Sequence, residues 1–233
     1  DTTIDTTNNG ANPTGATITL AGSVLSLGSG SALLASDWTN GHSYDLGVWG
    51  TVIGLYGNGD NEISKTFALG GASSTFTFNF YRLDTWDNEN FRVYANNTLI
   101  INQAYNFGTF VSSVVSGTTS GYSWSITPWI GDTSGNKVHL QWADQRFTVS
   151  ITTPSGISSL PIRINSTLSD TPGWNVTNDE AWAISGFQNT VSATSGLTLN
   201  SGTSGQISSS AGLGTGGSLK FLSITNSGGA TFS

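Results

Sequence analysis

The sequence predicts an all-β protein: an antiparallel jelly-roll β-sandwich with short β-strand arms at both termini. Three observations predict it. Ser and Thr together fill 66 of 233 positions and Gly another 30, whereas charged residues reach only 9%. Helix surfaces normally carry Glu, Lys and Arg, while Thr, Ser, Gly and Asn suit strands and turns. Apolar residues alternate with polar ones along Thr75-Phe76-Thr77-Phe78-Asn79-Phe80-Tyr81, which puts the three Phe on one face of a strand. Aromatic residues are concentrated in the middle: the eight Trp lie between Trp38 and Trp182, and the six Tyr between Tyr44 and Tyr122.

That distribution divides the chain into an N-terminal β arm (1–36), a sandwich (37–190) and a C-terminal arm of β-rungs (191–233). In the first arm Ala16 to Leu20 and Val24 to Leu27 read as short strands. The sandwich follows with strand candidates at Val48 to Leu55 and at the Phe76–Tyr81 run. A hairpin comes next, Phe91 to Ala95 and Leu99 to Ile101 about a turn at Asn96-Asn97. Further candidates are Tyr122 to Ile126, Lys137 to Trp142, Arg146 to Ile151, Leu160 to Ile164 and Ala181 to Phe187. The last arm repeats the texture of the first in Leu197 to Leu199, Gln206 to Ser208, Leu219 to Ile224 and Ala230 to Phe232. No helical stripe interrupts these runs.

Net charge is −7, which repels phosphate backbones and anionic membranes, so nucleic acid is excluded as the expected partner. No apolar run approaches the roughly 18 residues that cross a bilayer. The chain starts at Asp1 and holds no Met, as expected of the mature remainder, or an excerpt, of a longer precursor. The absence of Cys removes disulfides, thiolate catalysis and Cys-based metal sites. With only His42 and His139 and no Gly-x-Ser-x-Gly elbow, a nucleophilic triad has little to stand on, and both His read as surface or turn residues.

The densest polar run is Leu83-Asp84-Thr85-Trp86-Asp87-Asn88-Glu89, with a second acidic pair at Asp179-Glu180. Asp84, Asp87, Glu89, Asp179 and Glu180 are hard oxygen donors with few cations nearby, a set suited to Ca²⁺; the alternative is that they cap turns and pair with Arg82 and Arg92. Asp87 and Glu89 share a strand face, as a glycosidase pair would, but nothing in the sequence separates their proton affinities, and the expectation is a non-enzymatic protein. Trp129 and Trp174, in loops near Pro128 and Pro172, are the aromatic side chains best placed to stack on a glycan.

Residues 45 to 190 resemble a module of large secreted bacterial adhesins. The resemblance rests on Ile53 to Asp60, on Ile63 to Phe67, on Phe78-x-Phe80-x-x-x-Asp84-Thr85-Trp86-Asp87-x-Glu89, and on the closing Asp179-Glu180-Ala181-Trp182-Ala183-Ile184. The layout is also similar to MAM and concanavalin-like jelly rolls. Thr85 stands where that module has Ser, and Ser185-Gly186 where it has Asp-Asn, which removes one acidic ligand. The resemblance implies adhesion, calcium and a secreted or cell-surface location, not catalysis. The arms resemble rungs of haemagglutinin-type and autotransporter passenger regions, which are parallel β-solenoids.

Neither arm can bury enough apolar surface to offset its ordering entropy alone. With almost no charge or Pro, their strands are templates for pairing. The expectation is therefore an extracellular fibre or surface-layer subunit, in which Ile18, Leu20, Leu197, Leu199, Leu219, Phe221 and Phe232 pair head to tail with another copy or with neighbouring modules. The alternative is a lectin-like, carbohydrate-binding module of a large cell-surface adhesin.

Overall fold

The computed structural model describes residues 2–6, 15–20, 33–57, 62–69, 71, 73–106, 109–133, 136–139, 142–168, 180–191, 197–209 and 222–232. The chain is all-β. Its strands are β1 (Thr2–Asp5), β2 (Ile18–Leu20), β3 (Ser43–Asp45), β4 (Thr51–Tyr56), β5 (Glu62–Ala68) and β6 (Ser74–Asp84). They continue with β7 (Asp87–Ala95), β8 (Thr98–Asn106), β9 (Val115–Thr119), β10 (Tyr122–Pro128), β11 (Gln145–Thr152) and β12 (Ser159–Ser166). The last are β13 (Glu180–Val191), β14 (Leu197–Asn200), β15 (Gln206–Ser209), β16 (Leu222–Asn226) and β17 (Gly229–Phe232).

Two units are present: residues 31–189, and residues 1–30 together with 190–233. The first is the sandwich. A seven-stranded sheet, β3-β4-β13-β6-β11-β10-β9, faces a four-stranded sheet, β5-β12-β7-β8. From β4 to β7, and again from β11 to β13, each successive strand changes sheet, which is the winding of a jelly roll. Phe76, Phe78 and Phe80 alternate into the core as the sequence predicts, and Phe147, Val149 and Ile151 of β11 lie opposite them in register, all buried. Phe80 stacks on Phe91 of the other sheet with ring centroids 4.0 Å apart, and Phe78 stacks on Phe187 at 5.1 Å. Trp86 is buried beside them and donates its indole N–H to the Ala181 carbonyl at 3.0 Å. The predicted hairpin forms, with Asn96 and Asn97 both at positive φ, +49° and +63°, as a tight hairpin turn requires.

Of the predicted strand Lys137 to Trp142, the described residues 137–139 and 142 are irregular: Asp144 takes the backbone N–H groups of Val138 and His139, both at 2.6 Å, that a strand partner would otherwise take. Leu140 and Gln141 lie outside the described residues.

In the second unit the two arms, neither of which could stand alone, pair with each other. β1, β14 and β16 form one parallel sheet, and β2, β15 and β17 form another. In chain order each β1–β2, β14–β15 and β16–β17 pair contributes one strand to each sheet, so the described residues of this unit form three coils of a parallel solenoid. The sandwich is an insertion between the first coil and the second. Ile4 is in register with Leu199, and Leu199 with Ile224; Ile18 is in register with Ile207, and Ile207 with Ala230. Val24 to Leu27, Leu219 and Phe221 lie outside the described residues.

Coils can stack this closely because of glycine at the corner. Ser201 is buried and donates its hydroxyl to the Gly205 carbonyl at 2.9 Å. A Cβ on Gly205 would lie 2.1 Å from the Ser201 carbonyl oxygen, and one on Gly15, whose φ is +58°, would lie 2.0 Å from it. No L-residue with a side chain fits either place.

Candidate functional site

Three places in the molecule were candidates for function: the acidic end of the sandwich, the outer face of its large sheet, and the ends of the solenoid.

At the acidic end, Asp84 closes β6 at a φ of +58°, and its carboxylate is buried. It contacts His139 Nδ1 through one oxygen and accepts the Trp142 N–H at 3.2 Å through the other. Its own N–H donates to Asp144 at 2.9 Å. Burial pushes the Asp144 carboxyl up to about 6, against the opposing pull of the backbone N–H groups it accepts. Arg82, also buried, donates to the carbonyls of Asn106 and Thr109 at 3.0 and 3.2 Å, while its Nε and Nη2 have no partner. Burial lowers the proton affinity of this guanidinium, and Tyr105 and Asp144 work against that shift. Gln145 bonds both backbone groups of Val111. Together these side chains tie segments 106–111 and 136–144 to the ends of β6 and β11.

Of the predicted metal ligands, Asp84, Asp87, Glu89 and Glu180 lie among the described residues. The Asp84 carboxylate is engaged by His139 and by the Trp142 N–H. Asp87 is exposed, and its N–H donates to the Glu89 carboxylate within the same short stretch. Glu180 starts β13, and Asp179 lies outside the described residues. Among the described residues no three His, Asp or Glu side chains come together in a way that holds a metal ion. His139, expected at the surface, is 4% exposed, with an Nε2 that has no partner. Nothing in its immediate sequence marks it as buried; the later Asp144, which folds the loop back, was the available signal.

The outer face of the large sheet is built around Arg146. Asp132, buried in the turn after β10, accepts from Arg146 Nη2 at 2.7 Å, from Nε at 3.1 and 3.3 Å, and from the Arg146 backbone N–H at 2.8 Å. The guanidinium is thereby held between two indoles, 4.2 Å from the Trp129 ring and 4.8 Å from Trp49. Trp129 donates its indole N–H to Thr148 at 3.1 Å and stays 38% exposed, as predicted of a loop Trp. Trp174 lies outside the described residues. Trp142, expected at the end of a strand, lies outside any strand and is 48% exposed.

Beyond Trp129 the same face carries hydroxyls in registered rows. Thr118, Ser123, Thr152 and Thr75 are aligned across β9, β10, β11 and β6. Ser116, Ser125, Ser150 and Thr77 form the next row, and Thr127, Thr148 and Asn79 the third. The fourth row is Trp129, Arg146 and Tyr81, joined by the Trp129 N–H to the Arg146 carbonyl at 3.1 Å and by register.

At the solenoid, the ladder Ile4–Leu199–Ile224 is unevenly covered. Leu199 in the middle is 0% exposed, whereas Ile4 and Ile224 at its two ends are 36% and 38% exposed. In the other sheet Ile18 is 6% and Ile207 1% exposed, while Ala230 of the last coil is exposed. Among the described residues β1 and β16 are paired on one side only, as are β2 and β17. Leu20, Leu197 and Phe232 occupy strand positions in these sheets.

No protein-family model matches the sequence, and no curated protein is significantly similar to it.

Proposed function

We propose that this is a non-enzymatic structural module of a secreted or cell-surface protein, in which a short β-solenoid carries a β-sandwich and joins neighbours through its end coils. The observation that carries the reading is the half-exposed isoleucine at each end of a ladder whose middle member is fully buried. An aliphatic ladder in a parallel solenoid gains by continuing: each added rung covers the side chain below it and satisfies a row of backbone N–H and C=O groups. Here the first and last coils present complementary edges of the same two sheets, with the same strand polarity. A contact of β16 with β1 and of β17 with β2 of the next unit repeats without closing, which is the geometry of a filament. The resemblance of the central region to adhesin modules and of the arms to passenger-region rungs supports the same reading.

Edge strands that are meant to stay unpaired usually carry charge or Pro. β1 has only Asp5 at its end, and β16 and β17 have neither. Light scattering of the intact protein is expected to show high-molecular-weight species that Ile224→Lys or Ile4→Lys removes without lowering the melting temperature of the sandwich. Scattering that is monomeric from the start, or unchanged by both substitutions, would overturn the proposal.

A further inference from the structure

We propose a second, separate binding surface: the outer face of the seven-stranded sheet takes an uncharged polysaccharide, with Trp129 as its stacking platform and the hydroxyl rows as its hydrogen-bonding surface. The Trp129 ring is fixed before any ligand arrives. One face lies on the Arg146 guanidinium and the N–H is bonded to Thr148, so the exposed share of the side chain is the opposite face and rim. A flat, rigid, half-exposed indole suits the C–H face of a pyranose ring.

The surface next to it suits the rest of a sugar. Every side chain in the three rows is a hydroxyl or a carboxamide, each able both to donate and to accept, as sugar hydroxyls are. Rows lie about 7 Å apart along the strands and neighbours about 4.8 Å apart across them, so an extended chain meets polar groups along its length. A shallow depression lined in part by Ser123, Ser125, Ser150 and Thr152 opens on this face.

Charge selects among ligands. The rows carry no ionised group, the charge of Arg146 is already matched by Asp132, and the chain as a whole is at −7. Anionic polymers are repelled and gain no cation here. The rows also lack the apolar anchors that a protein partner buries at the centre of an interface.

Affinity electrophoresis through gels containing neutral glucans, mannans or xylans, with polygalacturonate as the charged control, tests this. At least one neutral polymer is expected to retard the protein, and Trp129→Ala is expected to weaken that retardation by about tenfold. Ser150→Arg, in the middle of the rows, is expected to abolish it, while Leu99→Ser on the four-stranded sheet leaves it unchanged; unaltered thermal melts show that each variant is folded. Retardation by none of the neutral polymers, by polygalacturonate alone, or retained in both Trp129→Ala and Ser150→Arg would overturn the proposal. None of these outcomes bears on the coil edges.

Discussion

In the sandwich, Phe76, Phe78 and Phe80 are buried to the same degree along β6, whereas in the solenoid the ladder Ile4–Leu199–Ile224 is covered only in its middle. The difference follows from how each unit closes. Two facing sheets with alternating strands bury their aromatic faces against each other, so every core position has neighbours on all sides. A parallel solenoid buries each coil against the next, and its first and last coils have a neighbour on one side only. A sandwich is finished by its own fold, whereas the three described coils leave an edge strand at each side of both sheets. On the proposed function, the molecule carries a self-sufficient unit inserted into one that gains from extension.

Cutting side chains in the two units sharpens the contrast. The largest loss is expected from Phe80→Ala, which removes a ring stacked on Phe91 and Phe147 and costs about 3–5 kcal/mol, seen as a lowered denaturation midpoint of the sandwich. Leu199→Ala, in the covered middle of the ladder, is expected to cost about 2–4 kcal/mol, read by hydrogen exchange of the solenoid amides. Ile224→Ala, chemically similar but at an end, is expected to cost under about 1 kcal/mol in the monomer. Equal losses at Leu199 and Ile224 would mean that the end coil is already covered and the contrast false.

A pH effect is expected in the sandwich. The Asp144 carboxyl rises from 3.8 to about 6 on folding, so the native state holds this proton more tightly than the unfolded chain. Its contribution to stability is therefore greatest below the unfolded value and is lost as pH rises through about 6. The gap in melting temperature between the wild type and Asp144→Asn is expected to change across that window and to be flat above it; a constant gap would contradict the assigned cause. Chelation tests the proposal that the acidic residues hold Ca²⁺: EDTA is expected to lower the melting temperature by several degrees, because a metal bound only by the native state stabilises it. An unchanged melting temperature would remove the metal from the account.

Much of the sandwich was legible. The Phe76–Phe80 alternation and the Asn96-Asn97 turn are local signals, and the structure places both as read. The solenoid was legible only in texture. Small rungs between Gly and Ser turns are visible in each arm, but that residue 4 pairs with residue 199 has no local trace, since the inserted sandwich separates consecutive coils. The surroundings of the acidic run were hidden for a related reason. Asp84 and Glu89 are near in sequence, and only the fold shows that Asp84 turns inward to His139 while Asp87 is exposed at the start of β7. Arg146 was equally silent, because Trp129 and Asp132, from the turn after β10, and Trp49, from the segment before β4, meet it only in the fold.

The end-to-end contact can be read chemically, since the chain has no Cys of its own. Thr3, Thr198 and Ser223 share one register row across β1, β14 and β16. Cysteines at Thr3 and Ser223 of one molecule are about two strand spacings, roughly 9.5 Å, apart and too distant for a disulfide, which needs Cα atoms within about 7 Å. In a head-to-tail stack Ser223 of one copy is one strand spacing from Thr3 of the next. Mild oxidation of the Thr3→Cys, Ser223→Cys double variant is expected to give a covalent ladder of dimers, trimers and longer species, and a mixture of the two single variants is expected to give the heterodimer. A double variant that stays monomeric, or single variants that dimerise with themselves instead, would contradict the account.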